Sequence, residues 1–271
     1  MTGTIIRDAP SAASTKEGEP RRFADAPGDI PSALTRHRLY GALALAFDRP
    51  GEDFTEALQT DRLATVLESD AATIGDAVDT QAAAVLDALT DTETIHGEWA
   101  ALFGVEEGLS VPPYELRYLP GPLLTNIRQL SDIRGFFTAF GLSIRPGAND
   151  RADHLCFQLE FLAHLTLQEA ILRDTGDETG VEIVVDARRR FLEDHLGRWY
   201  WRFAGDVNQR NDGFYATLAN LLSALIEAEL SLLDIEPEYV PDHPDVTDWN
   251  EDIFGDVGRG CGGCGAVGSS K

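Results

Sequence analysis

The sequence predicts an all-α protein, a single-domain helical bundle, and three observations carry that prediction. Apolar residues recur at helical spacing over several long stretches, and convincing strand alternation is absent. The chain is 271 residues long with 43% hydrophobic residues, enough for helices to pack around one real core.

Taken in order, residues 1–30 are rich in Pro, Gly and Ser and are expected to form a disordered leader. Within it, Arg21-Arg22-Phe23 suggests a twin-arginine export signal, but Ala24-Asp25-Ala26-Pro27-Gly28-Asp29 supplies no apolar region after it. Export by that signal is therefore not expected, and a cytoplasmic location is. Ser32 is a candidate N-cap for a first helix running to Phe47, where Arg49-Pro50-Gly51 stops it. Leu39, Leu43 and Phe47 fall four apart on one face. Two or three further helices are expected between Glu52 and Phe103. Gly104 to Gly121 holds three prolines and no helical period, and reads as a long ordered loop. Helices resume at Leu123–Phe140, Ala152–Arg173, Thr179–Phe203 and Phe214–Leu233, so the helical domain is expected over 31–233. The remainder, 234–271, is first acidic and proline-punctuated, without lysine or arginine to Asp256. It then becomes a Gly-rich tail around Cys261-Gly262-Gly263-Cys264.

The charge is unusual. The formal net charge is -24, and Lys16 and Lys271 are the only lysines. Acidic residues interleave with amphipathic stretches, which fits an acidic surface over a folded core and points to a salt-loving cytoplasm. Such a surface makes nucleic-acid phosphate an unsuitable partner. No apolar run approaches the roughly 20 residues that span a bilayer, so membrane insertion is not expected. Three cysteines are too few for a disulfide scaffold.

Several residues could carry chemistry. At 100° per residue, Glu160 and His164 each stand within about 20° of Asp153 on one stripe. Two carboxylates and an imidazole there could receive a guanidinium. The same spacing also fits an N-cap at Asp153 followed by a solvated face. Phe191, His195, Trp199 and Phe203 repeat every four residues, the pattern of a core stripe in which His195 is either a core histidine or the polar element of a pocket. Glu160 and His164 could also share a metal, with His154 or His195, but no HExxH occurs and bundle di-metal sites need several more such ligands. Cys261 and Cys264 offer two thiolates where structural zinc takes four ligands. They could form half of a shared metal site, a transient one, or none. G-x-S-x-G and P-loop fingerprints are missing, and the only Gly-rich run is the terminal tail, with no strand before it to make a dinucleotide fingerprint.

Four sequence words occur in a set order. They are Leu39-Tyr40 with Phe47-Asp48-Arg49-Pro50, and Glu98-Trp99-x-x-Leu102-Phe103 with Pro112-Pro113-Tyr114-Glu115. Asp153-His154-Leu155 with Leu159-Glu160-Phe161-Leu162 follows, then His195-Leu196-x-x-Trp199-x-x-x-Phe203. Together they resemble the TorD/DmsD/NarJ family of molybdoenzyme maturation chaperones, over roughly Leu34 to Leu233. Ala152 and Leu116 depart from the family's usual Pro and Ser/Thr. The resemblance implies an all-helical protein that is not an enzyme and has no cofactor of its own. It would bind the twin-arginine signal peptide or the apo catalytic subunit of a molybdopterin oxidoreductase, of the DMSO reductase or nitrate reductase type, until its cofactor is inserted. It makes Tyr114, Glu115, Asp153, His154, Glu160 and His195 the candidate client-binding residues, with a homodimer as a further option. A helical scaffold without signal-peptide recognition, or a metal-binding protein, are the alternatives.

Overall fold

The computed structural model describes residues 5–7, 28–104, 111–119, 122–145 and 151–240, and for residues 5–7 the backbone pairing only. These belong to the first of two compact units, Met1–Val240. The second, Pro241–Lys271, lies outside the described residues together with Cys261 and Cys264.

The described chain is helical throughout its core. Helix α1 spans Ile30–Phe47, α2 Glu52–Gln59, α3 Arg62–Ile74, α4 Asp76–Asp87 and α5 Thr92–Phe103. After the loop come α6 (Leu123–Ala139), α7 (Leu155–Thr175), α8 (Glu178–Phe191), α9 (Gly197–Asn208) and α10 (Phe214–Leu232). Helix α1 begins two residues before the expected Ser32 cap. Asp29 does the capping instead, its carboxylate accepting from the Ser32 N–H at 2.9 Å, and Pro31 is tolerated in the first turn because its missing N–H would be unsatisfied there anyway. Four helices rather than two or three fill 52–103, since Asp61 at φ 53° and Gly75 at φ 156° each break what reads as continuous helical sequence. A small antiparallel pair joins β1 (Ile5–Arg7) to β2 (Leu142–Ile144), Ile5 opposite Ile144; three-residue strands are too short for alternation to reveal.

Helix α1 packs along α7, and α10 packs against α4 and α9, so α1, α7 and α10 line the centre. The aromatic stripe is core, as its spacing predicts: Phe191, His195, Trp199 and Phe203 are all fully buried. Phe47, Phe103, Phe203 and Tyr215 interlock beside them, with Phe103 and Phe203 stacked at 6.0 Å. Glu98 and Trp99, at the head of the second sequence word, act here as staples. Trp99 Nε1 donates to Phe47 O at the C-terminus of α1 at 3.1 Å. Glu98 Oε2 accepts from Asn211 Nδ2 and the Tyr215 N–H, which places a carboxylate at the N-terminus of α10.

A buried ionic network ties four helices. Arg188 of α8 donates to Glu169 of α7 at 2.6 Å and faces Glu229 of α10 at 3.3 Å; Arg36 of α1 also pairs with Glu229, and Arg173 with Glu169 at 2.7 Å. Burial alone would lower the Arg188 pKa, but the Glu229 and Glu169 charges outweigh it and hold the guanidinium charged. Among the described residues, no helix is long and apolar enough to cross a membrane.

Two substitutions test this frame. Arg188→Leu removes the buried cation shared by Glu169 and Glu229, leaving them only Arg173 and Arg36, and is expected to lower urea-unfolding stability by about 3 kcal/mol. Glu98→Ala loses the half-buried α10 staple and is expected to cost about 1–2 kcal/mol. Equal, negligible losses in both would refute the assignment.

Candidate functional site

The prolines at 112 and 113 hold the chain extended, so that the loop runs alongside the start of α7 as an isolated antiparallel bridge between Tyr114 and His154. Glu115 N–H donates to Asp153 O at 3.1 Å, and Leu155 N–H to Pro113 O at 2.8 Å. A short 3-10 turn, Glu115–Arg117, then carries the chain away. This bridge brings two sequence words that lie far apart into direct contact.

The N-cap of α7 is His154, not Asp153: its Nδ1 accepts from the Cys156 N–H at 3.1 Å. Asp153 therefore precedes the helix and turns inward, fully buried. Its carboxylate accepts from the Leu116 N–H at 3.1 Å and receives both Nε and Nη2 of Arg151. The Arg151 guanidinium lies 4.9 Å from the Tyr114 ring centroid, and Tyr114 meets the His154 ring edge-on at 5.0 Å. Asp153 is thus not stacked with Glu160 and His164 as one helical stripe. Those two remain half-buried on α7 proper.

Glu115 is the hub. It is fully buried, and its Oε1 takes Gln129 Nε2 of α6 at 3.0 Å and His195 Nδ1 at 3.0 Å, while Oε2 takes Gln158 Nε2 of α7 at 2.7 Å. His195 sits in a π-turn, Leu192–Leu196, between α8 and α9. Gly197 closes that turn: a Cβ there would lie 2.4 Å from Leu192 O, so a side chain would force it open. The other ring nitrogen of His195, Nε2, meets Asp132 Oδ2 of α6 at 3.2 Å. Both partners are carboxylates, which only accept, so both ring nitrogens must donate and the ring is an imidazolium. Burial pushes the His195 pKa down, but the bonds to Asp132 and Glu115 and their charges outweigh it and raise it to about 9. The same bond holds Asp132 below the usual carboxylate range.

The structure therefore brings together Tyr114, Glu115, Asp153, His154 and His195. Glu160 is placed on the second turn of α7 and is not among the groups bonded to Glu115. Sequence reasoning missed Gln129, Asp132, Gln158 and Arg151. Only Gln158, a polar residue inside an otherwise apolar helix stretch, left a signal. Among the described residues, no group of three or more His, Cys, Asp or Glu is placed to hold a metal ion. What this arrangement does chemically is hold an ion triad, with Glu115 and His195 buried and Asp132 at the surface, and orient a loop, α6 and α7 about it.

Comparison with known proteins adds family context. The model of the family described as "Nitrate reductase delta subunit" matches residues 57–205, more than half of the chain. The "Chaperone protein TorD" of Photobacterium profundum is 30% identical over 122 residues, 45% of this chain and 55% of that protein. The chlorate reductase assembly chaperone protein of Ideonella dechloratans is 31% identical over 156 residues, 57% of this chain and 78% of the relative. The selenate reductase assembly chaperone protein of Thauera selenatis is 34% identical over 143 residues, 52% and 71% respectively. The chain thus spans about half the length of the first of these relatives and more of the other two.

Because the folded His195 pKa of about 9 exceeds its ordinary 6.5, its contribution is complete below about pH 6.5 and is lost as pH rises through about 9. Wild-type stability, measured by chemical unfolding, is expected to fall from pH 7 to pH 9.5 by on the order of 1 kcal/mol per pH unit. His195→Gln should flatten that fall. An unchanged slope in the variant would remove His195 from the account.

Proposed function

The chain belongs to the nitrate reductase delta subunit family, and from that membership we propose that it is a maturation chaperone. It binds the apo catalytic subunit of a molybdopterin oxidoreductase, holds it for cofactor insertion, and acts on the cytoplasmic side before export. The observation that carries the reading is that relatives of different reductases, chlorate and selenate among them, are assembly chaperones by name. The site is consistent with that role. Its titratable groups are committed to structural bonds: Glu115 to three donors, Asp153 to Arg151 and a backbone N–H, His195 to two carboxylates. A site so occupied shapes a surface rather than transforming a substrate.

The reading extends to the client's twin-arginine signal peptide as one contact. Of the six predicted residues, Tyr114 and Glu160 are half-buried and could touch a peptide directly. Glu115, Asp153, His154 and His195 are buried and would act by holding those two in place.

Two results are expected in binding measurements. The protein should capture the apo-subunit about tenfold or more tightly than the cofactor-loaded form, since only differential affinity can delay release until insertion. An Arg-Arg signal peptide should bind better than its Lys-Lys version, a preference reduced by Glu160→Gln. Equal affinity for apo and loaded subunits would contradict the chaperone reading. Equal binding of the two peptides would remove only the signal-peptide contact.

A further inference from the structure

Helix α6 has two different faces. Its inward side buries Ile133 and Phe137, and Phe137 packs on Phe161 at 5.2 Å. Its outward side carries Leu123, Leu124 and Ile127, which are 68%, 75% and 50% exposed. At 100° per residue Leu124 and Ile127 share a stripe with Ser131, Gly135 and Thr138, with Leu123 and Arg134 along one edge and Arg128 along the other. A Cβ added at Gly135 would meet nothing within 4 Å, so the strip ahead of the leucines is open ground. An open groove of about 580 Å³ runs beside it, lined by Thr125, Ile127, Arg128, Gln129, Ser131 and Asp132.

The charge here runs against the rest of the protein. From Val111 to Arg151 there are five arginines against Glu115, Asp132 and Asp150, a balance of +2 in a chain whose total is -24. Asp132 is engaged by His195, and Glu115 is buried, so neither offsets the outward arginines. Arg117, Arg128 and Arg134 are exposed and make no ion pair among the described residues.

We propose that the outward face of α6 is a docking surface for an acidic amphipathic segment of the client's catalytic subunit; this rests on the chaperone reading above. An apolar stripe between two arginines is complementary to a helix with an apolar face edged by carboxylates, the helix-in-groove mode of recognition. Arginine suits that task because its planar fork binds carboxylates in a fixed orientation. A second copy of the chain fits less well. A strip one helix wide falls well short of the roughly 800 Å² per partner of a standard interface, and each copy would bring its own strong negative charge. An Arg-Arg peptide would face Arg128 and Arg134 with like charge, so this surface is distinct from a signal-peptide contact.

The test uses a labelled synthetic helical peptide with leucines on one face and glutamates on the other, and a second peptide with lysines replacing the glutamates. Fluorescence anisotropy is expected to show the wild type binding the glutamate peptide. Arg128→Glu/Arg134→Glu and, separately, Leu124→Ser/Ile127→Ser should each weaken it by about tenfold or more. The charge-reversed variant should gain binding of the lysine peptide. All four positions are exposed, so circular dichroism should show both variants folded. Equal binding of both peptides, or variants that bind like the wild type, would overturn the proposal. So would a wild-type dimer that the same substitutions dissolve, which assigns the face to a second copy. Capture of the apo-subunit separates the two readings: variants that capture it as well as the wild type sink the docking surface alone, whereas a wild type that captures nothing sinks the chaperone.

Discussion

The arrangement depends on one buried carboxylate. Glu115 lies in a site from which water is excluded, where an uncompensated charge would cost several kcal/mol. It is tolerable because an imidazolium and two amides converge on it, one from each of the elements packed around it: His195 from the π-turn, Gln129 from α6, Gln158 from α7. Each of those elements is thereby held to the loop. The loop itself is extended by its prolines, and the backbone bridge to α7 sets the depth at which Glu115 enters. Removing any donor leaves a charged group buried with fewer partners, so the elements stand or fall as a set.

The consequence for function is indirect. Asp132 clamps His195 from the solvent side, and so fixes α6 at its middle, while Ile133 and Phe137 fix it from within. What remains is the outer half of the helix, held still yet uncovered among the described residues. A rigid element that displays apolar and basic side chains is a better client contact than a mobile one, because less conformational entropy is lost on binding. The second ionic network, around Arg188, lies about three turns further along α7 and bears on the site only by stiffening α7 and α8.

Much of this was legible in the sequence where local physics decides. Most of the long helices followed from apolar period and stop signals, though 52–103 divides into four helices rather than two or three. The single helix expected over Thr179–Phe203 is broken by the π-turn into α8 and α9. The aromatic stripe at 191–203 was core, as four-residue spacing suggests. The site was legible in part. Tyr114, Glu115, Asp153, His154 and His195 come together, but their roles did not follow from spacing. Asp153 reads as an N-cap in one dimension, yet the cap is His154, because the loop bridge delivers a backbone N–H and Arg151 to the aspartate. The π-turn has no periodic signature; it is written in one glycine, Gly197, whose meaning appears only once Leu192 O is placed against it. Glu115 looks like a surface carboxylate until Gln129 and Gln158 arrive from two other elements. Nonlocal partners decide burial, and no single stretch of sequence contains them.

The charge state of His195 is the point on which the account turns, and nitrogen-15 NMR of its imidazole reads it directly. At pH 7.5 an ordinary histidine is mostly neutral, with one protonated and one bare ring nitrogen. The account predicts that both nitrogens of His195 carry protons at that pH, each coupled to its own hydrogen, and that the second proton is lost only near pH 9. A neutral tautomer with one bare nitrogen at pH 7.5 would leave a carboxylate facing a lone pair, and would contradict the Glu115–His195–Asp132 ion triad on which the rest of the structure has been explained.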